Sequence, residues 1–389
     1  MNDNLGKIYF TEEHTLLREM VRDFARNEVA PVAEQQDREG KFPDALVKQM
    51  AELGLMGVPI PAKYGGAGMD TVAFTIAVHE LAVADASTAI TMGAHTSLGT
   101  MPILMFGTDE QKKKYLPSLA SGEMLGAFGL TEPGAGSDAG ATATRAVKHK
   151  DKYVINGQKI FCTNAGKAGL ITFTARIIDG DEDLGICVFM AEAGTPGIRL
   201  GPPEKKMGWR ASDTRSVYFE DLELSQGQIL GIPGKGFRQF LTVLTGGRIS
   251  LGALSLGTAQ GAYQMALNYA NEREAFGQKI GKLQGIAFKL ADLATGLQAA
   301  THLVYHAAWL KDQGEDVLKE AAMAKLYASE LAMRTTIEAI QIHGGYGYIR
   351  EYHVERFFRD AKVLEIGEGT SEIQRIVISR HLLEEAQGT

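Results

Sequence analysis

Cysteine is almost absent from this sequence: Cys162 and Cys187 are the only two in 389 residues. Two thiols build neither a disulfide framework nor a multi-cysteine metal site, so both read as small buried residues in a reducing compartment, with no metal expected. The opening stretch "MNDNLGKIYFTEEH" has the features of neither a signal peptide nor an Arg/Ser-rich transit sequence. No apolar run approaches the ~20 residues that a bilayer span needs. The net charge is −7, with both signs spread along the chain, which argues against a nucleic-acid or anionic-membrane surface. A cytoplasmic protein of bacterial type is expected. Several motifs are also missing: G-x-G-x-x-G after a strand, a P-loop, H-E-x-x-H and G-x-S-x-G. The nearest string, "GAGSDAG" at 134–140, has the wrong spacing. A Rossmann nucleotide site, a nucleotide hydrolase and an α/β-hydrolase are thereby disfavoured.

Glycine, by contrast, is abundant: 45 residues, roughly 12 % against a usual ~7 %. The excess has no period, which excludes collagen and low-complexity sequence and points to backbone that ligands or helices approach closely. The length suggests two or three domains. Residues 1–122 read as helical. Thr11 suits an N-cap, Glu12 and Glu13 suit a first turn, and Leu16, Leu17, Met20, Val21, Phe24 and Ala25 recur at helical spacing. Ala30–Pro31 should end or bend that helix. Residues 123–232 read as β. Asn156–Gly157 is a hairpin signal, and Ile171, Phe173, Ala175 and Ile177 alternate as in a half-buried strand. Residues 233–389 return to long amphipathic helices of bundle type. The order α, β, α is an α+β multidomain arrangement, not the alternation of a doubly wound sheet.

Three stretches could carry chemistry. "GLTEPGAGSDAGA" (129–141) exposes backbone N–H groups among small residues and hydroxyls, as a loop holding phosphate or flavin oxygens would. Composition alone fits an irregular loop leading into the β region equally well. "QIHGGYGYIREYHVERFFRD" (341–360) fits a helix end followed by a helix in which Arg350, Arg356 and Arg359 pair with Glu351, Glu355 and Asp360. His343 fits packing or hydrogen bonding better than catalysis. In "NEREAFGQKI" (271–280), Arg273 could reach a phosphate and Phe276 could stack on a ring, or both could be ordinary surface and core residues. A fourth stretch, "EIGEGTSEIQR" (365–375), sets Glu368 between Gly367 and Gly369.

Taken together, "GLTEPGAGSDAGA", "QIHGGYGYIREYHVERFFRD", "REAFG", "GRISLGALSLGTAQGAY" and "EIGEGTSEIQR" resemble the acyl-CoA dehydrogenase family in its order and spacing over nearly the whole chain. The resemblance implies an N-terminal helical domain, a barrel-like β-sheet domain and a C-terminal four-helix bundle, with FAD between the last two. Phe128, Leu130 and Thr131 would line the isoalloxazine, and Ser137 would close the loop and touch the CoA. Phe161, Cys162 and Thr163 stand where the family commonly has Trp-Ile-Thr, so phenylalanine replaces the tryptophan. Arg273, Phe276, Gln284 and the run from Gln341 to Gly344 and Gly345 would grip the pyrophosphate and adenosine, partly across subunits, which implies an oligomer, a homotetramer in this family. Thr370, Ser371 and Glu372 would touch FAD from the other side. Thr245, Gly246, Gly247 and Arg248 would run along the CoA channel, with Gly369 also beside the substrate.

In this resemblance Glu368 is the catalytic base. A carboxylate of pKa ~4.3 is a poor base for an α-proton. Desolvation strengthens it, and hydrogen bonds to the thioester carbonyl acidify the substrate. The family's donors to that carbonyl are the base's own backbone N–H and a ribityl hydroxyl of FAD. The implied reaction is α,β-dehydrogenation of an acyl-CoA of short to medium length, straight or branched, with electrons passing to an electron-transferring flavoprotein. Many relatives have tyrosine where this chain has Gly367. Some branched-chain relatives carry the base at the position matching Gly247, which cannot serve. No arginine lies around "ADASTAITMG", so a dicarboxylic substrate is not expected. Two other readings share the fold: an acyl-CoA oxidase, and a non-catalytic flavin-containing nucleic-acid-binding relative. The acidic chain and the presence of Glu368 disfavour the second.

Overall fold

The computed structural model describes residues 6–387. Helices come first: α1 (Gly6–Tyr9), α2 (Glu12–Phe24), α3 (Ala30–Glu39), α4 (Asp44–Glu52), α5 (Thr71–Ala84), α6 (Ala86–Ala94), α7 (Met101–Phe106) and α8 (Asp109–Ala120). Strands follow: β1 (Leu125–Gly129), β2 (Arg145–His149), β3 (Lys152–Thr163), β4 (Ala168–Asp179), β5 (Glu182–Glu192), β6 (Ile198–Pro203), β7 (Thr214–Ser225) and β8 (Ile229–Leu230). Four long helices then dominate, α9 (Gly236–Glu272), α10 (Gln284–Asp312), α11 (Leu318–His343) and α13 (Ser371–Gln387), with the short α12 (Val354–Ala361) between the last two. A small hairpin, β9 (Glu274–Ala275) and β10 (Gln278–Lys279), separates α9 from α10.

Thr11 caps α2 as its sequence suggests, but its reciprocal partner is His14, whose Nδ1 accepts from the Thr11 amide at 3.1 Å. Leu16 departs from the apolar stripe and is exposed. Pro31 does not end the helix at once. The chain first widens into a π segment, Ala25–Val29, and resumes as α3 with the proline in its first turn, where a missing N–H costs nothing. The apolar run from 73 to 99 breaks at Asp85, whose extended backbone caps α6 through its carboxylate on the Thr88 amide at 2.7 Å. Among the described residues, α9 is long and apolar enough to cross a membrane by length and composition, but most of its apolar window is buried inside the molecule. Its composition is that of a core helix, packed under α5, α10 and α11 in the largest apolar cluster.

The strands order as β6-β7-β3-β2-β4-β5-β8, with β1 parallel to β4. Ile171, Phe173, Ala175 and Ile177 are fully buried, as their alternation suggests. The opposite face of β4 is buried as well, because Leu170 packs with Ile60 and Val188 in a second cluster. Asn156–Gly157 makes no hairpin turn. It lies within β3 at a bulge, where Gly157 has φ +154° and a Cβ would stand 2.7 Å from Thr144 Cα. Asn156 is held by Asp221 on β7, donating to its carboxylate and accepting its amide, each at 2.9 Å. Close approach to a neighbouring segment explains this glycine better than a tight turn.

The arginines of 341–360 also reach further than expected. Arg359 does pair with Glu355 at 2.6 Å, but it binds Asp37 of α3 at 2.7 Å too. Arg356 binds Asp85, and Asp360 accepts the Trp209 amide at 2.6 Å. Helix α12 thus ties the N-terminal helices and the loop between β6 and β7 to the C-terminal helices.

Candidate functional site

Glu368 sits in the turn before α13 with φ +52°, a left-handed backbone that glutamate seldom adopts, followed by Gly369 at φ +95°. Two side chains hold this geometry. Lys325, fully buried on α11, donates to the Gly369 carbonyl at 2.8 Å. Gln374, one turn into α13, donates to the same carbonyl at 2.8 Å and to the Glu368 carbonyl at 3.2 Å. Thr370 accepts the Ile373 amide at 3.3 Å and so caps α13.

The carboxylate itself is free to act. Oε2 is out of solvent and has no hydrogen-bond partner among the described residues. Burial pushes Glu368 up to about 7, while Lys325 and Arg248 pull it down. Lys325 is pushed down to about 8 by burial, against the pull of Glu368. Arg248, only 3 % exposed, leaves Nε and Nη1 without partners among the described residues. Gly247 is the surface on which the carboxylate rests, since a Cβ there would stand 2.0 Å from Glu368 Oε2. The arrangement is an unpartnered acid between two buried cations, able to take a proton near neutral pH. Lys325 and Gln374 were missed in the sequence. A signal existed for the first: Lys325 falls on the buried stripe Ala321, Ala328, Ala332 at helical spacing.

The other candidate residues form two further groups. Arg273, Gly344 and Gly345 line one cavity of about 450 Å³, with Tyr269, His343 and Tyr346. His343 there packs, stacking on Tyr269 at 4.3 Å and bonding the Ala339 carbonyl at 2.7 Å. Phe276 is held at the hairpin tip with φ +52° and is 92 % exposed. Gln284 and Gln341 are exposed and do not line that cavity. The third group surrounds the 129–141 loop. Its ends are clasped by Glu132, which accepts the Ala143 amide at 2.7 Å and pairs with the buried Lys159 at 2.6 Å. Lys159 also donates to the Leu130 carbonyl at 3.1 Å, and the Thr131 carbonyl accepts the Ile160 amide at 2.8 Å. Ser137 is exposed on the loop. Phe128 stacks on Phe240 at 5.1 Å and is nearly covered. At a bulge in β3, Phe161 takes φ +56° and turns its ring outward, 63 % exposed, while the Cys162 thiol points into the sheet core and is pushed up to about 12 by burial. Only the backbone of Cys162 can therefore meet a ligand; Thr163 is half-buried beside it. On α9, Thr245 donates back to the Leu241 carbonyl at 3.2 Å, and Gly246 faces the Lys311 ammonium. Ser371 Oγ is buried without a partner among the described residues, and Glu372 is held below the usual range, first by its own backbone amide and then by Thr370.

Three family models match the chain in succession: the acyl-CoA dehydrogenase N-terminal domain over 11–123, the middle domain over 127–222 and the C-terminal domain over 234–383. The chain belongs to the acyl-CoA dehydrogenase family. A probable acyl-CoA dehydrogenase of Bacillus subtilis is 51 % identical over 96 % of this chain and 98 % of its own. A short-chain specific acyl-CoA dehydrogenase of Clostridium acetobutylicum is 47 % identical over 95 % and 97 %. The structure of butyryl-CoA dehydrogenase from Megasphaera elsdenii superposes with a TM-score of 0.93 at 42 % identity, covering 96 % of this chain and 98 % of that one. The α–β–α order described above is the fold of this acyl-CoA dehydrogenase.

Proposed function

We propose that the protein is an FAD-dependent dehydrogenase of short acyl-CoA thioesters, with Glu368 as the base that removes the α-proton. The observation that carries this is the carboxylate of the half-buried Glu368: its Oε2 is out of solvent and unpartnered among the described residues, seated on Gly247 and raised to about 7. The relatives' short-chain and butyryl-CoA names support a short acyl group. The residues present fit FAD. Phe161 and Phe276 are apolar rings presented by left-handed backbone and left largely exposed by the described residues. The 450 Å³ cavity offers the Arg273 cation beside Gly344 and Gly345, around which a Cβ would meet open space. Phe128, Leu130, Thr131, Ser137, Phe161, Cys162 and Thr163 would hold the flavin end. Arg273, Phe276, Gln284, Gln341, Gly344 and Gly345 would hold the nucleotide end, and Thr370, Ser371 and Glu372 the far side. Bound FAD supplies the acceptor for the β-hydride.

The chain's own part is positional and electrostatic. Thr245, Gly246, Gly247, Arg248 and Gly369 border the thioester. The left-handed turn at Glu368 leaves its backbone N–H free of the helix that follows, so one residue can offer both an amide donor and a base. Desolvation makes that base strong enough near neutral pH. Gly367 leaves space, because a Cβ there would meet only Val363 O at 3.4 Å and Leu251 Cδ2 at 3.9 Å. This favours tolerance of a branched acyl chain. A homotetramer accords with the uncovered Phe276 and Phe288, and electron transfer to an electron-transferring flavoprotein accords with the family. The test is anaerobic mixing of the FAD-loaded protein with butyryl-CoA. The flavin should bleach, whereas Glu368→Gln should keep its yellow FAD and lose about 10²-fold or more in bleaching rate. Wild-type bleaching by that variant would refute the base. Turnover in air coupled only to peroxide, with no response to an artificial acceptor, would favour an oxidase.

A further inference from the structure

Glu368 has a strained backbone, and its Oε2 has no hydrogen-bond partner among the described residues, so something else must keep it in place. The groups that face it are Lys325 from α11 and Arg248 from α9. Lys325 in turn is faced by Glu365 from the preceding turn and Glu372 from the first turn of α13. Glu365 is engaged with Lys362 at 2.6 Å, and Arg248 directs no hydrogen bond at the turn among those described. Among the described residues, Lys325 alone both bonds the turn and carries charge toward the carboxylate. It does so from a fully buried position, which a lysine occupies only at a cost that some partner must offset. Gln374 shares the tether but has no charge.

We propose that Lys325 is the positioning residue of the site: its ammonium, fixed to the Gly369 carbonyl, locks the left-handed turn at Glu368 and holds the base ionised for proton removal. The assignment rests on Glu368 being that base. Lys325 bonds a carbonyl of the turn and carries charge toward Glu368, so its action is through Glu368. With both groups titrating near neutrality, they behave as a coupled pair in which each favours the other's charged form. Loss of the cation must then leave Glu368 protonated to higher pH.

The experiment compares FAD-loaded wild type, Lys325→Met, Lys325→Gln and Glu368→Gln. Two quantities are read: the pH dependence of flavin reduction by butyryl-CoA, and the carboxyl band of Glu368 by difference infrared titration, with Glu368→Gln as the blank. Lys325→Met matches the buried length without charge. Its rate midpoint and its carboxyl titration should both move up by about one pH unit or more, with FAD content and visible spectrum unchanged. Lys325→Gln, which keeps a donor for the Gly369 carbonyl, should show the same upward shift with a smaller loss of the limiting rate at high pH. An unmoved midpoint and an unmoved carboxyl band in both variants, beside an inert Glu368→Gln, overturn the role of Lys325 and leave the base intact. Wild-type reduction by Glu368→Gln overturns the base instead.

Discussion

Gly247→Ala separates stability from catalysis in this enzyme. A methyl on Gly247 would stand 2.0 Å from Glu368 Oε2, where ordinary contact begins at 3.4 Å. The helix cannot yield, because α9 is packed under α5 and α11 in the main core. The carboxylate can, being the end of a flexible side chain with no hydrogen bond to lose at Oε2. The carboxylate of the proposed base must therefore retreat by more than an ångström. A displacement of that size costs about 10²-fold in rate, equivalent to about 2.7 kcal/mol of barrier. The same substitution favours the helix by about 1 kcal/mol, because alanine replaces glycine in its interior. The expected variant melts no lower than wild type, binds FAD at full stoichiometry and reduces its flavin with butyryl-CoA about a hundredfold more slowly. Stopped-flow bleaching and thermal unfolding on one preparation measure both. Wild-type bleaching would show that the carboxylate does not act from its seat on Gly247. A lower melting temperature or lost FAD would show that the helix, not the side chain, gave way.

Two further outcomes follow from the same geometry. Glu368 accepts a proton only when ionised, and burial raises its midpoint to about 7. Flavin reduction should therefore be lost as pH falls through about 7, and a midpoint near an ordinary glutamate's in stopped-flow profiles would contradict the desolvated base. Gly367→Tyr should fill the space against Val363 and Leu251. Branched acyl-CoA should then lose reduction rate several-fold relative to butyryl-CoA, and an unchanged ratio across an acyl series would place the width control elsewhere.

Much of the architecture follows from local pattern. Helical spacing in 12–24, alternation in 171–177 and the long amphipathic runs after 236 reflect which faces the chain must bury, and neighbours in sequence suffice to state that. The glycine-flanked Glu368 is equally visible, and φ +95° at Gly369 is a backbone demand written in residue type, whereas φ +52° at Glu368 is not. Local pattern fails where a distant segment decides. Asn156–Gly157 has the chemistry of a turn, yet Asp221 and Thr144 make it a bulge inside a strand. Arg356 and Asp360 look like partners of their own helix, and their bonds go instead to Asp85 and Trp209.

The sequence by itself determined the order of helices and strands, the acid between glycines and the family, since each depends on residue types at short spacing. Tertiary structure decided what the acid can do. Lys325 lies 44 residues from the carbonyl it holds, and Gly247 and Arg248 arrive on another helix altogether. The basicity proposed for Glu368 comes from burial, against which those cations pull to keep it ionised, and both are properties of the space around a side chain and not of its neighbours in the chain.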